Sequence, residues 1–316
     1  QQNLQPITRE LIGALRQTGA QVQENEPMSL HTSFQIGGPA DVFATVSDER
    51  SLRGVLKLCK EAGAPVYVIG NGSDLLIPDQ GLRGVVVSFG GDLCRLRLEN
   101  ETTIVCGPGA TLAKLCKFAL ENSLTGLEFA WGIPGSAGGA AYMNAGAYGG
   151  EMRDVAVSTC VLCADGTVQT LEGEEQECGY RSSVFQRMDA VILETVFALT
   201  PADPAQIRTK MQLLRDKRAA SQPLEYPSAG STFKRPQTGF AAALIDQAGL
   251  KGFTVGGAQV SEKHAGFVIN RGGATARDVL ELMRQVEARV FAASGVRLEP
   301  EVQILRIQKE EGPCNF

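Results

Sequence analysis

GLEFAWGIPGSAGGAAYMNAGAYGGE (126–151) is the stretch on which the fold turns. Between Gly132 and Gly150 it is far too glycine-rich for a core element, and small residues let a backbone approach a bound group closely. Ile133, Tyr142, Met143 and Tyr148 do not suit a loop free in solvent, so a bulky ligand lying against this segment is the better reading. Some 60 residues earlier a second cluster appears. Gly70-Asn71-Gly72-Ser73-Asp74 follows directly on PVYVIG (65–70), a short apolar β-branched run that reads as a buried strand. Its glycines permit positive φ, so successive N–H groups can converge on an anion. On physical grounds alone, phosphate loop and plain hairpin turn stay equally open. A third cluster, Gly107-Pro-Gly109-Ala-Thr-Leu112, opens a helix after a strand as a dinucleotide fingerprint does, but Leu112 stands where the third glycine belongs. A helix entry capped by Thr111 is the expectation there. No Gly-Lys pair occurs anywhere, which excludes a P-loop NTPase.

Composition narrows the class. The chain has 316 residues with 30 Lys+Arg against 35 Asp+Glu, a net charge of −5, which argues against a broad nucleic-acid surface. With 43% hydrophobic and 21% charged residues it is not a disordered chain. No apolar run reaches the ~18 residues of a membrane span. The opening QQNLQPITREL has neither the basic nor the apolar region of a signal peptide, so the cytoplasm is the expected compartment. Eight cysteines are scattered, at 59, 94, 106, 116, 160, 163, 178 and 314. Cys160 and Cys163 form one C-x-x-C on a strand, where positions three apart face opposite ways, and no second pair completes a zinc set. Histidines are only His31 and His264, too few for a three-histidine metal site. No metal is expected.

Periodicity predicts a helix over 6–20, a strand over 41–46, and a helix over 48–62 with Ser47 as its cap. A strand follows at 85–89, then a hairpin of 95–99 with 102–106, and a helix over 111–122. Strands at 155–171, turning at Ala164-Asp165-Gly166, and at 190–199 close this half. Thr200–Pro204 reads as a linker. Helices at 205–220 and 275–293 and a strand at 297–306 complete the chain, with the charged tail QKEEGPCNF frayed. The alternation is not strict βαβ, so the class is α+β.

Seven stretches in this order resemble one family, the UDP-N-acetylenolpyruvoylglucosamine reductases (UDP-N-acetylmuramate dehydrogenases). They are HTSFQIGGPAD (31–41), VIGNGSDLLI (68–77), the 126–151 block, YRSSVFQ (180–186), EYPSAGSTFKRP (225–236), VGGAQVSEKHAGFVIN (255–270) and LEPEV (298–302). The resemblance implies a two-lobed FAD-binding domain of the vanillyl-alcohol-oxidase (PCMH) type and a C-terminal α+β substrate-binding domain. The divisions expected are 1–88, 89–200 and 201–316, with the last strand returning to the first lobe. It implies noncovalent FAD held by Gly70, Asn71, Gly72, Ser73, Asp74, Leu75, Gly132, Ile133, Pro134, Gly135, Ser136, Gly138, Gly139, Ala140, Asn144, Gly146, Ala147 and Tyr148. About 50 residues, a strand and a helix, separate Arg181 from Ser231, so the chain resembles the type without a Tyr-bearing insertion there. His31 and Arg235 stand where the family commonly has Asn.

The implied reaction reduces the enolpyruvyl ether of UDP-N-acetylglucosamine to UDP-N-acetylmuramate for peptidoglycan. Hydride passes from NADPH through flavin N5 to C3 of the vinyl group, and a proton then reaches C2. Charge developing on C2 and its carboxylate needs a fixed cation, and Arg181 supplies a planar fork for it. Glu301 is read as a neutral acid or as an orienting group; the first role needs a raised pKa. Ser231 is the general acid, a role worth roughly 10²–10⁴-fold, with a neighbour such as Lys234 or a water lowering its effective pKa. Lys234, Arg235 and Lys263 are candidates for the substrate's diphosphate, and His264 is read as structural. The partners expected are small molecules, with no nucleic acid and no membrane, and the sequence leaves oligomeric state open. Two rivals are a flavin oxidase of the same domain type and a non-catalytic nucleotide-sugar sensor. The first leaves YRSSVF, PSAGSTF and LEPEV unexplained together; the second predicts bound FAD without turnover.

Overall fold

The computed structural model describes residues 7–305. Cys314, the tail from 308 and Arg306 at the end of the expected last strand lie outside them. In the first lobe Thr8 caps the helix Arg9–Gln17 by accepting from the Leu11 amide at 3.1 Å. Gln21–Pro27 pairs antiparallel with Pro39–Val46, which runs parallel to Leu82–Phe89, itself parallel to Val66–Val68. The helix Glu49–Ala62 covers this sheet with Leu52, Val55 and Cys59. Its cap is Asp48, not Ser47: the Asp48 carboxylate accepts from the Ser51 amide at 2.7 Å, a reach that Ser47 lacks by one residue.

The second lobe is a five-stranded antiparallel sheet in the order 168–172, 156–163, 190–198, 103–106, 96–100. The helix Leu112–Glu121 packs on it beneath the expected Thr111 cap, which accepts from the Lys114 amide. Pro204–Ser221 forms the next helix, with Asp203 as cap and Pro204 at its first position. It buries Ile207 and Met211 among Leu115, Leu124 and Phe129 of this same lobe. Thr200–Pro201 pairs with Leu124–Thr125. The 200/201 division read from sequence therefore falls ahead of a helix whose apolar face packs with the second lobe.

The third lobe pairs Ser228–Ser231, Phe267–Asn270, Ala258–Val260 and Thr254–Val255 into a sheet. The helix Ala276–Ser294 covers it through Val279, Leu282, Met283, Val286 and Val290. The strand expected over 297–306 is reduced to Gln303–Ile304, because the segment changes partners: Glu299 and Glu301 bond Lys234 and Thr232 about an isolated Phe233–Pro300 bridge, whereas Gln303 and Leu305 bond Asp74 and Leu76. That short strand pairs in parallel with Leu75–Leu76 of the first lobe. Other ties join these lobes: Asp79 accepts from the Ala276 and Arg277 amides at 2.7 and 3.0 Å, and Asn270 donates to the Phe34 carbonyl. Among the described residues no helix is long and apolar enough to cross a membrane.

Candidate active site

A cavity of about 640 Å³ runs between the lobes. Gly70–Leu75 lines one side and Ile133–Ser136, Gly138–Ala140 and Ala145–Tyr148 line the other. The two glycine loops touch: a Cβ on Gly70 would lie 2.1 Å from Ser136 Oγ. Gly72, at φ +60°, turns so tightly that a Cβ would meet the His31 carbonyl at 2.1 Å. His31 itself stacks on Phe43 and bonds Glu26 at 2.8 Å, so it buttresses the loop from outside the main cavity. The Gly107-Pro-Gly109 turn acts as a bracket rather than a fingerprint. Pro108 accepts from the Gly138 amide, and a Cβ on Gly138 would strike Pro108 at 2.7 Å. Ser136 caps the helix Ala137–Met143 through the Gly139 amide.

The cationic end of the cavity is built from three distant segments. Gly179 and Ser182 pair across a two-residue tip, and Arg181 sits in it at φ +49°. A left-handed arginine is strained by roughly 1–3 kcal/mol and must be held by its surroundings. It is held by its Nε, which donates to Glu301 Oε1 at 2.7 Å, and its Nη2, which donates to the Gly146 carbonyl at 3.1 Å. Burial works against its charge, but Glu301, with lesser help from Tyr180 and Asp74, raises the guanidinium above its ordinary value. Glu301, 8% exposed, also accepts from the Tyr180 phenol at 3.3 Å, and Tyr180 Oη takes the Arg235 amide. Glu301 thus meets the Arg181 guanidinium directly as an ion pair. The carboxyl that is held neutral is a different one, Asp74: burial first, then Glu301, push it up to about 8 against the pull of Arg181. Ser231 ends its strand after Gly230, at φ +72°, and opens onto the same cavity with Arg235 and His264. Burial holds the His264 pKa below its ordinary value. Its Nδ1 accepts from the Gly266 amide, so this ring is a neutral wall group.

Some residues read as site residues do not reach the cavity. Asn144 is fully buried at φ +43°; its amide donates to Glu151 and the Gly179 carbonyl and accepts from Arg153. It fixes the turn carrying Arg181 instead of lining the cavity. Gly132 sits behind the wall against Arg218. Lys234 is off the wall, and Lys263 spends its ammonium on the Ala219 carbonyl at 2.7 Å. Sequence reasoning missed Arg218. This arginine is only 7% exposed, lies over the Tyr148 ring at 5.3 Å, and has Nε and Nη2 without hydrogen-bond partners. Its Nη1 alone finds Gln222, at 3.3 Å. The signal was present, because Ile207, Met211, Leu214 and Arg218 form one helical stripe with a cation at its end.

Glycines at which a Cβ would clash, a buried cation lacking an anion and a cavity of about 640 Å³ between the lobes suit a flavin dinucleotide. Fold and site together define an FAD-binding oxidoreductase. Comparison with known proteins agrees. Residues 40–172 match the FAD binding domain, and residues 222–305 match the UDP-N-acetylenolpyruvoylglucosamine reductase C-terminal domain. The chain is 48% identical over 293 residues to the UDP-N-acetylenolpyruvoylglucosamine reductase of Agathobacter rectalis, covering 89% of this chain and 93% of that one. It is 47% identical over 281 residues to that of Clostridium perfringens strain SM101, covering 89% and 92%. The crystal structure of the Thermus caldophilus reductase superimposes with a TM-score of 0.78 at 33% identity, covering 91% of this chain and 99% of that one. The chain belongs to the UDP-N-acetylenolpyruvoylglucosamine reductase family, flavoenzymes of peptidoglycan precursor synthesis.

Proposed function

We propose that this chain reduces the enolpyruvyl ether of UDP-N-acetylglucosamine to UDP-N-acetylmuramate with NADPH, in the cytoplasm. The observation that carries this reading is the Arg181–Glu301 pair facing the same cavity as Ser231 and both glycine loops. FAD, when bound there, supplies the hydride relay between NADPH and C3 of the substrate. Gly70–Leu75 and the Ile133–Tyr148 segment bind it without a covalent tether. Arg181 sits against the substrate carboxylate and stabilises the charge that develops as C3 takes up hydride, a contribution of several kcal/mol in a water-poor site. Glu301 keeps the guanidinium fork aimed, and the Gly146 carbonyl fixes its other edge. Ser231 delivers the proton to C2. Lys234 is off the wall, so a water or the substrate itself assists that transfer. Arg235, on the wall and stacked on Phe240 at 4.6 Å, is the group for the diphosphate. Arg218 offers its unbonded nitrogens to an anionic edge in the cavity. Between Arg181 and Ser231 lie the strand Ala190–Ala198 and the helix Pro204–Ser221, which supports the type without a Tyr-bearing insertion.

The test is an anaerobic absorbance titration of the purified holoenzyme. NADPH should bleach the flavin bands, and the enolpyruvyl sugar should restore them without oxygen. Arg181→Lys and Ser231→Ala should bleach normally but reoxidise with the sugar at least ~100-fold more slowly. Recovery only on admitting oxygen overturns the substrate, and Ser231→Ala with unchanged kcat overturns the acid role.

A further inference from the structure

We propose that Asp74 receives the substrate carboxylate as a neutral carboxylic acid, so that binding the anionic sugar is coupled to keeping one proton at this residue. The inference rests on the function proposed above and adds a residue to its substrate site. Asp74 closes the first glycine loop and begins the strand Leu75–Leu76. The Gln303 amide donates to the Asp74 carbonyl at 2.8 Å, and this parallel pairing brings Asp74 alongside Glu301. Asp74, Arg181, Ser231 and Glu301 line one cavity. Arg218 and Arg235 also line this cavity, but the charges acting on Asp74 itself are uneven: two carboxyls, its own and that of Glu301, face the one guanidinium of Arg181. Glu301 has claimed the Arg181 Nε and the Tyr180 phenol. The Asp74 carboxyl makes no hydrogen bond among the described residues, and the charged groups acting on it are Glu301 and Arg181. The tyrosine beyond them adds no charge, because burial raises its phenol further above 10.

A third carboxylate, on the sugar, then has to enter. Three anions around one guanidinium in a poorly hydrated cleft repel by more than one ion pair recovers. A protonated Asp74 removes that repulsion and turns a repeller into a hydrogen-bond donor, with no covalent step. Burial and the neighbouring glutamate already hold this carboxyl protonated to about pH 8, so the arrangement is in place before the sugar arrives.

The experiment titrates the oxidised holoenzyme with the enolpyruvyl UDP-sugar, follows the flavin spectrum between about pH 6 and about pH 9, and counts protons with an indicator dye. The sugar's phosphodiesters and carboxylate are fully ionised throughout this range. In the wild type, affinity should be flat at low pH and fall about tenfold per unit above pH 8, with uptake rising from near zero toward one proton per site. Asp74→Asn, neutral at every pH, should show a flat profile and no uptake. Wild-type uptake that stays at zero near pH 9 overturns the proposal, and so does an Asp74→Asn profile identical to the wild type. Because the wild-type proton count stands alone, the test survives an Asp74→Asn protein that loads flavin poorly. A holoenzyme whose spectrum ignores the sugar at every pH instead overturns the substrate reading, and this inference falls with it.

Discussion

A guanidinium at 7% exposure with two unbonded nitrogens costs the folded chain on the order of 1–3 kcal/mol. Arg218 is therefore kept for a ligand and not for stability. Arg218→Met, similar in length and apolar, should raise the melting temperature of the flavin-free protein by a few degrees, at roughly 2–4 °C per kcal/mol. The same change should weaken FAD, NADPH or sugar binding at least tenfold. A lower melting temperature with unchanged affinities would make Arg218 a structural group. Asp74 makes a second residue-scale prediction, about pH. Its folded pKa of about 8 lies above the ordinary 3.8, so the folded state holds the proton more tightly than the unfolded chain. The associated stability is fully present below about pH 4 and is lost as pH rises through 8. Asp74→Asn should melt with the wild type near pH 4 and several degrees above it near pH 8.5, by scanning calorimetry of the flavin-free protein. A gap that does not widen with pH would refute the buried-acid assignment. That Arg181, Ser231 and Glu301 meet at one cavity was legible because each stands in a recognisable motif. The state of Asp74 was not legible, because it is set by residues 181 and 301, which only the fold brings near.

At the scale of elements, the two glycine loops are one device. Gly70 is glycine because Ser136 Oγ occupies the place of its Cβ. Gly70→Ala should cost at least tenfold in FAD affinity, measured by flavin fluorescence quenching. Ser136→Ala clears that oxygen and leaves the next contact, Ser136 Cβ, at 3.2 Å. The double variant should then bind FAD no worse than Ser136→Ala alone, a coupling that independent defects would not give. Most elements were readable from periodicity and caps: Thr111 and Thr275 both accept from the third amide of their helices. The cap at Asp48 was misread by one residue because Ser47 and Asp48 are both good capping types. The strand over 297–306 was overread because the segment changes partners between Glu301 and Gln303, which only the fold reveals.

At the scale of the molecule, the first and third lobes are joined by a cap that neither could complete alone. Asp79 of the first lobe closes the amino end of Ala276–Ser294 in the third. Asp79→Ala should cost about 0.5–2 kcal/mol, as losing a capping residue does, lowering the melting temperature by a few degrees in the flavin-free chain. An unchanged melting temperature would show that Thr275 suffices. An FAD-binding part followed by a C-terminal domain was legible from the resemblance of the seven stretches. The division near residue 200 was harder to place, because the partner of the 204–221 helix is a matter of which apolar surface remains uncovered.

The parallel pairing of Leu75–Leu76 with Gln303–Ile304 has a consequence for how the chain is made. Synthesis runs from the amino end, and both glycine loops emerge more than 150 residues before the segment that completes the first one. A growing chain thus carries a half-built nucleotide cleft until Gln303 and Ile304 are added, and an Arg181 without its partner until Glu301 is. Contacts this remote form late, since closing so long a loop precedes any return from it. A chain cut short before residue 298 keeps the sequence of both glycine loops, yet lacks the partner that holds Arg181 in a strained backbone.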